Sequence, residues 1–243
     1  MANETATLSP RRLTHALSLH AEGSAPPRQP DSLAAHLWNA SQDLAQAALE
    51  SDYIQGIKQG TLNPNNFGQY SVQDVAYCHN GLEDWKAVAT RAQQPDIKAF
   101  AEARVKSWAK YAQETYGAWH ISDPAAVQLS VAAQTYSAFE SEVAHHYDPL
   151  YTVVVMIPCD RLWYWLANQI KSGSSATNVY DFWINGNSAS DNGAHQMENV
   201  VDTHAAQLDE DTALHVYRTA MLGEVNFFRS ACRQPLLEMP GTS

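Results

Sequence analysis

Two acids, a phenol and a thiol stand inside apolar helical stripes of this sequence, and they are the groups best placed to do chemistry. From Phe67 to Gly81, helical spacing puts Phe67, Tyr70, Asp74, Tyr77 and Gly81 on one face, so Asp74 interrupts an aromatic stripe. Glu224 interrupts another, between Tyr217, Met221 and Phe228, and Tyr136 and Cys159 lie on two further helical segments with similar surroundings. An ionised carboxylate in an apolar layer is costly unless something pairs with it, so this set predicts a lined pocket.

Each of these residues has a plainer reading beside the chemical one. Cys159 follows Pro158 inside a helical stretch, where a missing N–H and a kink suit a reactive thiol, yet free cysteine is also an ordinary small hydrophobe of protein cores. Cys78 and Cys232 have no neighbour at three- or four-residue spacing that would favour a thiolate. Asp74 could recognise a ligand or close a structural ion pair. Beside Val225, Phe227 and Phe228, Glu224 gains the desolvation-raised pKa that a general acid needs near neutral pH, or else it locks the core through a tyrosine.

The histidines offer less. Glu142-Val-Ala-His145 matches the Glu-x-x-His element of di-iron bundles, but no second element follows, and His145 lies nine residues, or about half a turn, from Tyr136. His195, Glu198 and Asp202 share a face that reads as solvated and charged, so no metal is expected. There is no Gly-x-Ser-x-Gly elbow, phosphate-cradling loop or dinucleotide fingerprint. The 7 tryptophans and 11 tyrosines suit stacking on a flat heterocycle.

The elements that must hold these residues are helical almost throughout. Asn63-Pro64, Asp123-Pro124 and Asp148-Pro149 each set a capping residue before a proline at the first helical position. Helices are predicted over 32–50, 64–93, 96–115, 124–146, 149–171, 180–184, 192–208 and 211–233, with a loop through Gly56 and Gly60. Only Val153 to Val155 suggest a strand, and the Asp-Pro start favours helix there. An all-α bundle of about eight helices follows, preceded by a flexible arm over residues 1–30 and forming one domain over 31–243.

With 243 residues, 45% of them hydrophobic, the chain can bury one sizeable core. Its net charge of −11, with no basic run, repels phosphate backbones, so nucleic acid is not an expected partner. The longest apolar run, near Tyr151 to Ile157, is far short of the roughly 20 residues that span a bilayer, so no membrane is expected either. No secretory signal opens the sequence, and three cysteines at unrelated spacings form neither a disulfide framework nor a zinc pattern; a reducing cytoplasm is expected.

Tyr53-Ile-Gln-Gly-Ile-Lys-Gln-Gly-Thr-Leu62, followed by Phe67, Tyr70, Gln73, Asp74 and Tyr77, resembles the signature of the TenA/Thi-4 family, the thiaminase II enzymes of thiamin salvage. The likeness continues through Tyr136, Ile157-Pro-Cys159, Tyr180 with Trp183 and Ile184, and Glu224 with Phe227 and Phe228, in order over residues 33–233. The resemblance implies a heme-oxygenase-like helical fold without heme or other cofactor, assembled as a homodimer or homotetramer. It also implies hydrolysis of the exocyclic C–N bond of an aminomethylpyrimidine, or of thiamin, to hydroxymethylpyrimidine.

In those terms Cys159 is the nucleophile, Glu224 the proton shuttle and Asp74 the partner of the ring's amino edge, while Tyr77, Tyr136 and Tyr180 stack on the ring or orient the thiol and acid. Trp163 stands where relatives carry a tyrosine, keeping an N–H donor without the acceptor. Trp165, Ala167 and the stretch after Trp183 also depart from the family pattern. Two alternatives stay open: a di-iron oxidase of the same fold, which iron analysis separates, and a non-catalytic pyrimidine-binding protein, which turnover of an aminomethylpyrimidine excludes.

Overall fold

The computed structural model describes residues 27–175 and 177–238, so most of the arm expected over 1–30 lies outside the described residues. Among the described residues there are α-helices and short 3-10 turns and no strand. The helices are α1 (Leu33–Asn39), α2 (Gln42–Leu49), α3 (Asp52–Gln59), α4 (Pro64–Arg91), α5 (Pro95–Trp119), α6 (Val131–His146), α7 (Pro149–Lys171), α8 (Asp181–Asn187), α9 (Asn192–Thr203) and α10 (Glu210–Ala231). The all-α expectation holds, including Val153 to Val155, which lie inside α7.

At the centre runs α7, apolar over nearly its whole circumference, as a helix enclosed by others must be. Packed around it are α6, α8, α9 and α10, while α4 lies against α5 and α6. The helix passes through Pro158 without ending, although that residue offers no N–H to the carbonyl of Val154. No helix among the described residues is long and apolar enough to cross a membrane.

Four boundaries differ from the sequence expectations, each for a local reason. The helix predicted over 32–50 is two helices broken at Ala40 and Ser41. There Arg218 of α10 donates to the Ala40 carbonyl and forks onto both oxygens of Asp43 at 2.8 Å, holding the break open. Gly56 is not in a loop but inside α3, which ends at Gly60 in the left-handed region with φ of 72°.

Asp123-Pro124 opens only a 3-10 turn (Pro124–Ala126), and α6 starts later, capped by the Ser130 hydroxyl. The Ser130 N–H is meanwhile held by Gln73 Oε1 at 2.5 Å, so the residue before Asp74 fixes where α6 begins. The helix predicted over 192–208 stops at Thr203, and a short turn (Ala205–Gln207) follows.

Candidate active site

Glu224 lies on the buried face of α10 and is 1% exposed. Two donors reach its carboxylate: Tyr136 Oη to Oε1 at 3.1 Å and Trp163 Nε1 to Oε2 at 3.0 Å. Burial pushes this carboxyl up to about 7, against the opposing hydrogen bonds from Trp163 and Tyr136, and the charge of Asp160 adds to the rise. The acid therefore holds and releases a proton near neutrality.

Trp163 sits four residues after Cys159 on α7, so the thiol and the indole that grips Glu224 share one helix face. Cys159 Sγ donates to the Met156 carbonyl at 3.1 Å. Burial raises the thiol pKa well above its usual value, the charges of Asp160, Glu224 and Glu140 raise it further, and only Arg104 opposes them. At rest the group is a thiol rather than a thiolate.

Asp74 belongs to the apolar face of α4 that carries Tyr70 and Tyr77. Burial, then the charge of Glu224, raises its carboxyl to about 8, while a hydrogen bond from Tyr111 of α5 opposes the shift. The Tyr53 and Tyr70 hydroxyls, both buried in the field of Asp74, make no hydrogen bond. Buried hydroxyls without partners are rare and suit a polar ligand.

The surrounding walls are aromatic. Tyr70 packs on Phe227 and Phe228 with ring centroids 4.3 and 5.4 Å away, and Trp163 packs on Trp183 at 5.5 Å. Tyr77 stacks on Tyr136 at 5.0 Å and brings its hydroxyl within 3.2 Å of the Tyr136 hydroxyl. The Tyr136 ring lies so close to α10 that it needs Gly223, because a Cβ there would stand 2.5 Å from Tyr136 Cγ.

The structure thus brings Tyr77, Tyr136, Trp163 and Glu224 into one bonded chain, with Cys159 one turn along α7 from Trp163 and the Asp74 carboxyl in the electrostatic field of Glu224. Tyr180 stands apart from that chain. Its hydroxyl donates to the Leu62 carbonyl at 2.7 Å and its ring lies 5.2 Å from Phe67, so it builds the wall through Phe67 and does not touch the acid.

No family model matches the chain. A curated relative, the thiamine biosynthesis multifunctional protein ThiED of Corynebacterium efficiens, is 24% identical over 217 residues, covering 82% of this chain. The match spans only 28% of that relative's length. A protein from Silicibacter sp. TM1040 described as a TenA family transcription regulator superposes with a TM-score of 0.71 at 17% identity, over 82% of this chain and 96% of that one. A TenA homologue from Pyrococcus furiosus gives 0.71 at 16% identity, over 82% and 99%. A Sulfolobus solfataricus protein named as a TenA-like thiaminase gives 0.64 at 17% identity, over 84% and 97%.

This chain has the TenA fold. Within it, four residues around the site were not singled out from sequence. Glu140 follows Tyr136 by one turn of α6, is 1% exposed, and accepts from Tyr77 Oη at 2.7 Å. The stripe argument that exposed Asp74 applies to it equally, since Ala133, Tyr136 and Val143 flank it on the buried face. Tyr111 reaches Asp74 from α5. Arg104 and Asp160, 3.2 Å apart, set opposing charges beside the thiol; no spacing rule joins residues from α5 and α7.

The histidine face is corrected. Glu198 is buried, not solvated, and pairs with Arg28 and Arg161, while Asp202 accepts from the Ala34 N–H at 2.8 Å. His145 lies 3.8 Å from Asp84 at a groove away from the thiol, and among the described residues no group of three or more His, Cys, Asp or Glu side chains converges as a metal cage.

Proposed function

We propose that the protein hydrolyses the exocyclic C–N bond of an aminomethylpyrimidine, or of thiamin, releasing hydroxymethylpyrimidine in thiamin salvage. The observation that carries this reading is a buried acid titrating near 7, gripped by Trp163 and Tyr136, beside a thiol one helical turn from that indole. The names of the Corynebacterium and Sulfolobus relatives point to the same metabolism.

In this reaction the Asp74 carboxyl pairs with the amino edge of the ring, and Tyr70, Phe227 and Phe228 give it flat apolar faces. Cys159 gives up its proton and the sulfur adds to a ring carbon while a ring nitrogen is protonated. The electron pair placed on the ring then expels the amine from the exocyclic methylene as Glu224 protonates it. The resulting carboxylate takes a proton from water, whose oxygen bonds to the methylene, and the sulfur leaves with the C–S electron pair and takes back the proton from the ring nitrogen, restoring the ring and the thiol. The net change is water in and amine out.

Trp163, in place of a tyrosine, donates to Glu224 without being able to accept a proton from it, so of these two partners only Tyr136 can relay a proton to or from the acid. Self-association as a homodimer or homotetramer belongs to the same proposal, and light scattering tests it.

Cys159→Ser and Glu224→Gln are each expected to remove at least about 100-fold of turnover while pyrimidine binding persists. Full activity in Cys159→Ser refutes the mechanism. Absence of turnover on any aminomethylpyrimidine by the wild-type protein refutes the function.

A further inference from the structure

Four side chains form an unbroken file through the core: Glu224 on α10, Tyr136 on α6, Tyr77 on α4 and Glu140 on α6. The three links are 3.1 Å from Tyr136 Oη to Glu224 Oε1, 3.2 Å between the two phenol oxygens, and 2.7 Å from Tyr77 Oη to Glu140 Oε1. Each link needs one proton. The two phenols supply two, because a tyrosine hydroxyl donates only once. The third must come from a carboxyl group, so all three links are made only when at least one of the two glutamates is protonated, and a single proton on the pair suffices.

The geometry points to Glu140 as a positioning residue that shares a single proton with Glu224 through Tyr77 and Tyr136. With the proton on Glu140, that acid donates to Tyr77, Tyr77 to Tyr136, and Tyr136 to an ionised Glu224. When every hydroxyl proton shifts one place along the file, Glu224 becomes protonated and Glu140 ionised. No bond to carbon forms or breaks, no electron is transferred and no net charge is created. Glu140 meets no reacting atom. It shares with Glu224 the proton that Glu224 delivers to the leaving amine and regains from water, and so it rests on the reading of Glu224 as a proton carrier.

Two further observations fit this arrangement. Both acids are 1% exposed, so neither is readily protonated or deprotonated by solvent directly. Burial pushes both carboxyls upward, which favours keeping a proton on the pair. The titratable groups facing Glu140 are Tyr77, Cys78 and Asp84 from α4, Tyr136 from its own helix, Glu224 from α10 and Cys159 from α7. Among these no cation offsets the charge, so double ionisation is disfavoured.

Infrared spectroscopy of the whole protein at neutral pH decides the sharing without any substrate. In Glu140→Gln the new amide donates to Tyr77 permanently and Glu224 stays ionised; in Glu224→Gln the file runs the other way and Glu140 stays ionised. Each single variant is therefore expected to lose the carbonyl band of one protonated carboxyl, and the double variant to lose no more than either alone. Loss in the double variant equal to the sum of two separate bands overturns the proposal, as does no loss in either single variant.

Tyr77→Phe cuts the file and supplies a second readout should a glutamine variant fold poorly. In that background Glu140 keeps a proton of its own, so Glu224→Gln should no longer remove its band; if the band still disappears, the file is not the link.

In turnover assays, Glu140→Gln is expected to lower kcat about tenfold or more with KM within about twofold, and to move the alkaline limb of kcat down by about one pH unit. A limb that stays in place in the folded variant overturns the role in catalysis. If the wild-type protein turns over no aminopyrimidine, the substrate reading fails, and the infrared comparison still decides whether the proton is shared.

Discussion

Asp74 should make the free protein less stable as pH rises, and Asp74→Asn should reverse this. The folded-state pKa of about 8 lies above the ordinary carboxyl value of 3.8 that holds in the unfolded chain. Below about 4 the carboxyl is protonated in both states and contributes no pH dependence. Between the two values the unfolded chain releases the proton while the folded one retains it, so stability falls by about 1.4 kcal/mol per pH unit. Above about 8 both states are ionised and the loss is complete, on the order of 6 kcal/mol.

An asparagine at this position keeps the shape and the Tyr111 contact without the charge. The expected result is near-equal stability of variant and wild type at pH about 4, with the variant gaining steadily until pH about 8. Urea unfolding of both proteins across that range measures the difference directly, and comparing the two removes the contributions of Glu224 and other titrating groups to first order. A stability difference that does not change with pH would refute the argument, because Asp74 would then not be a buried acid held proton-bound. The same variant should bind the aminopyrimidine more weakly, so stability and recognition move in opposite directions.

Trp163→Phe removes a donor to the charged form of Glu224 worth about 1.5–3 kcal/mol, so the alkaline limb of kcat should move up by about one to two pH units; an unmoved limb contradicts the role of the indole. Gly223→Ala forces a methyl into the Tyr136 ring, and overpacking of this kind costs about 1–3 kcal/mol. A loss of turnover larger than that of a neutral surface variant is expected with it, measurable beside thermal unfolding. Glu198→Ala strands the partly buried Arg161 and should cost about 3–5 kcal/mol without shifting any limb of the pH profile; a shifted limb contradicts this.

The sequence made the fold legible because its signals were local. Asn63-Pro64 and Asp148-Pro149 start helices at the expected residues, each with the capping oxygen on the N–H two residues on. Where a boundary depended on a distant partner, it was not legible. Arg218 breaks the first predicted helix from 178 residues away, and Gln73 fixes the start of α6 from 57 residues away.

The site follows the same division. Asp74, Glu224 and Tyr136 are acids or phenols out of place in apolar stripes, which helix phase alone exposes. Glu140 satisfies that test as well, on the buried face of the helix that also carries the Glu142-x-x-His145 spacing. Tyr111 and Arg104 act from α5, and nothing in the spacing along that helix marks them. Tyr180 could be placed near the aromatic wall from sequence, but its hydroxyl bond to Leu62 depends on how the loop after α3 folds.

The hydrogen bond from Cys159 to the Met156 carbonyl bears on how the protein survives oxygen and electrophiles. Oxidants and alkylating reagents attack the thiolate, and this sulfur is 2% exposed, proton-bound and occupied by its own helix. Cys232 is only half-buried, so a reagent in bulk solution reaches it first. Burial thus shields the central thiol, and under the proposed mechanism it becomes a nucleophile only when a bound substrate draws off its proton. On that reading, shelf life and reactivity are separated within one side chain.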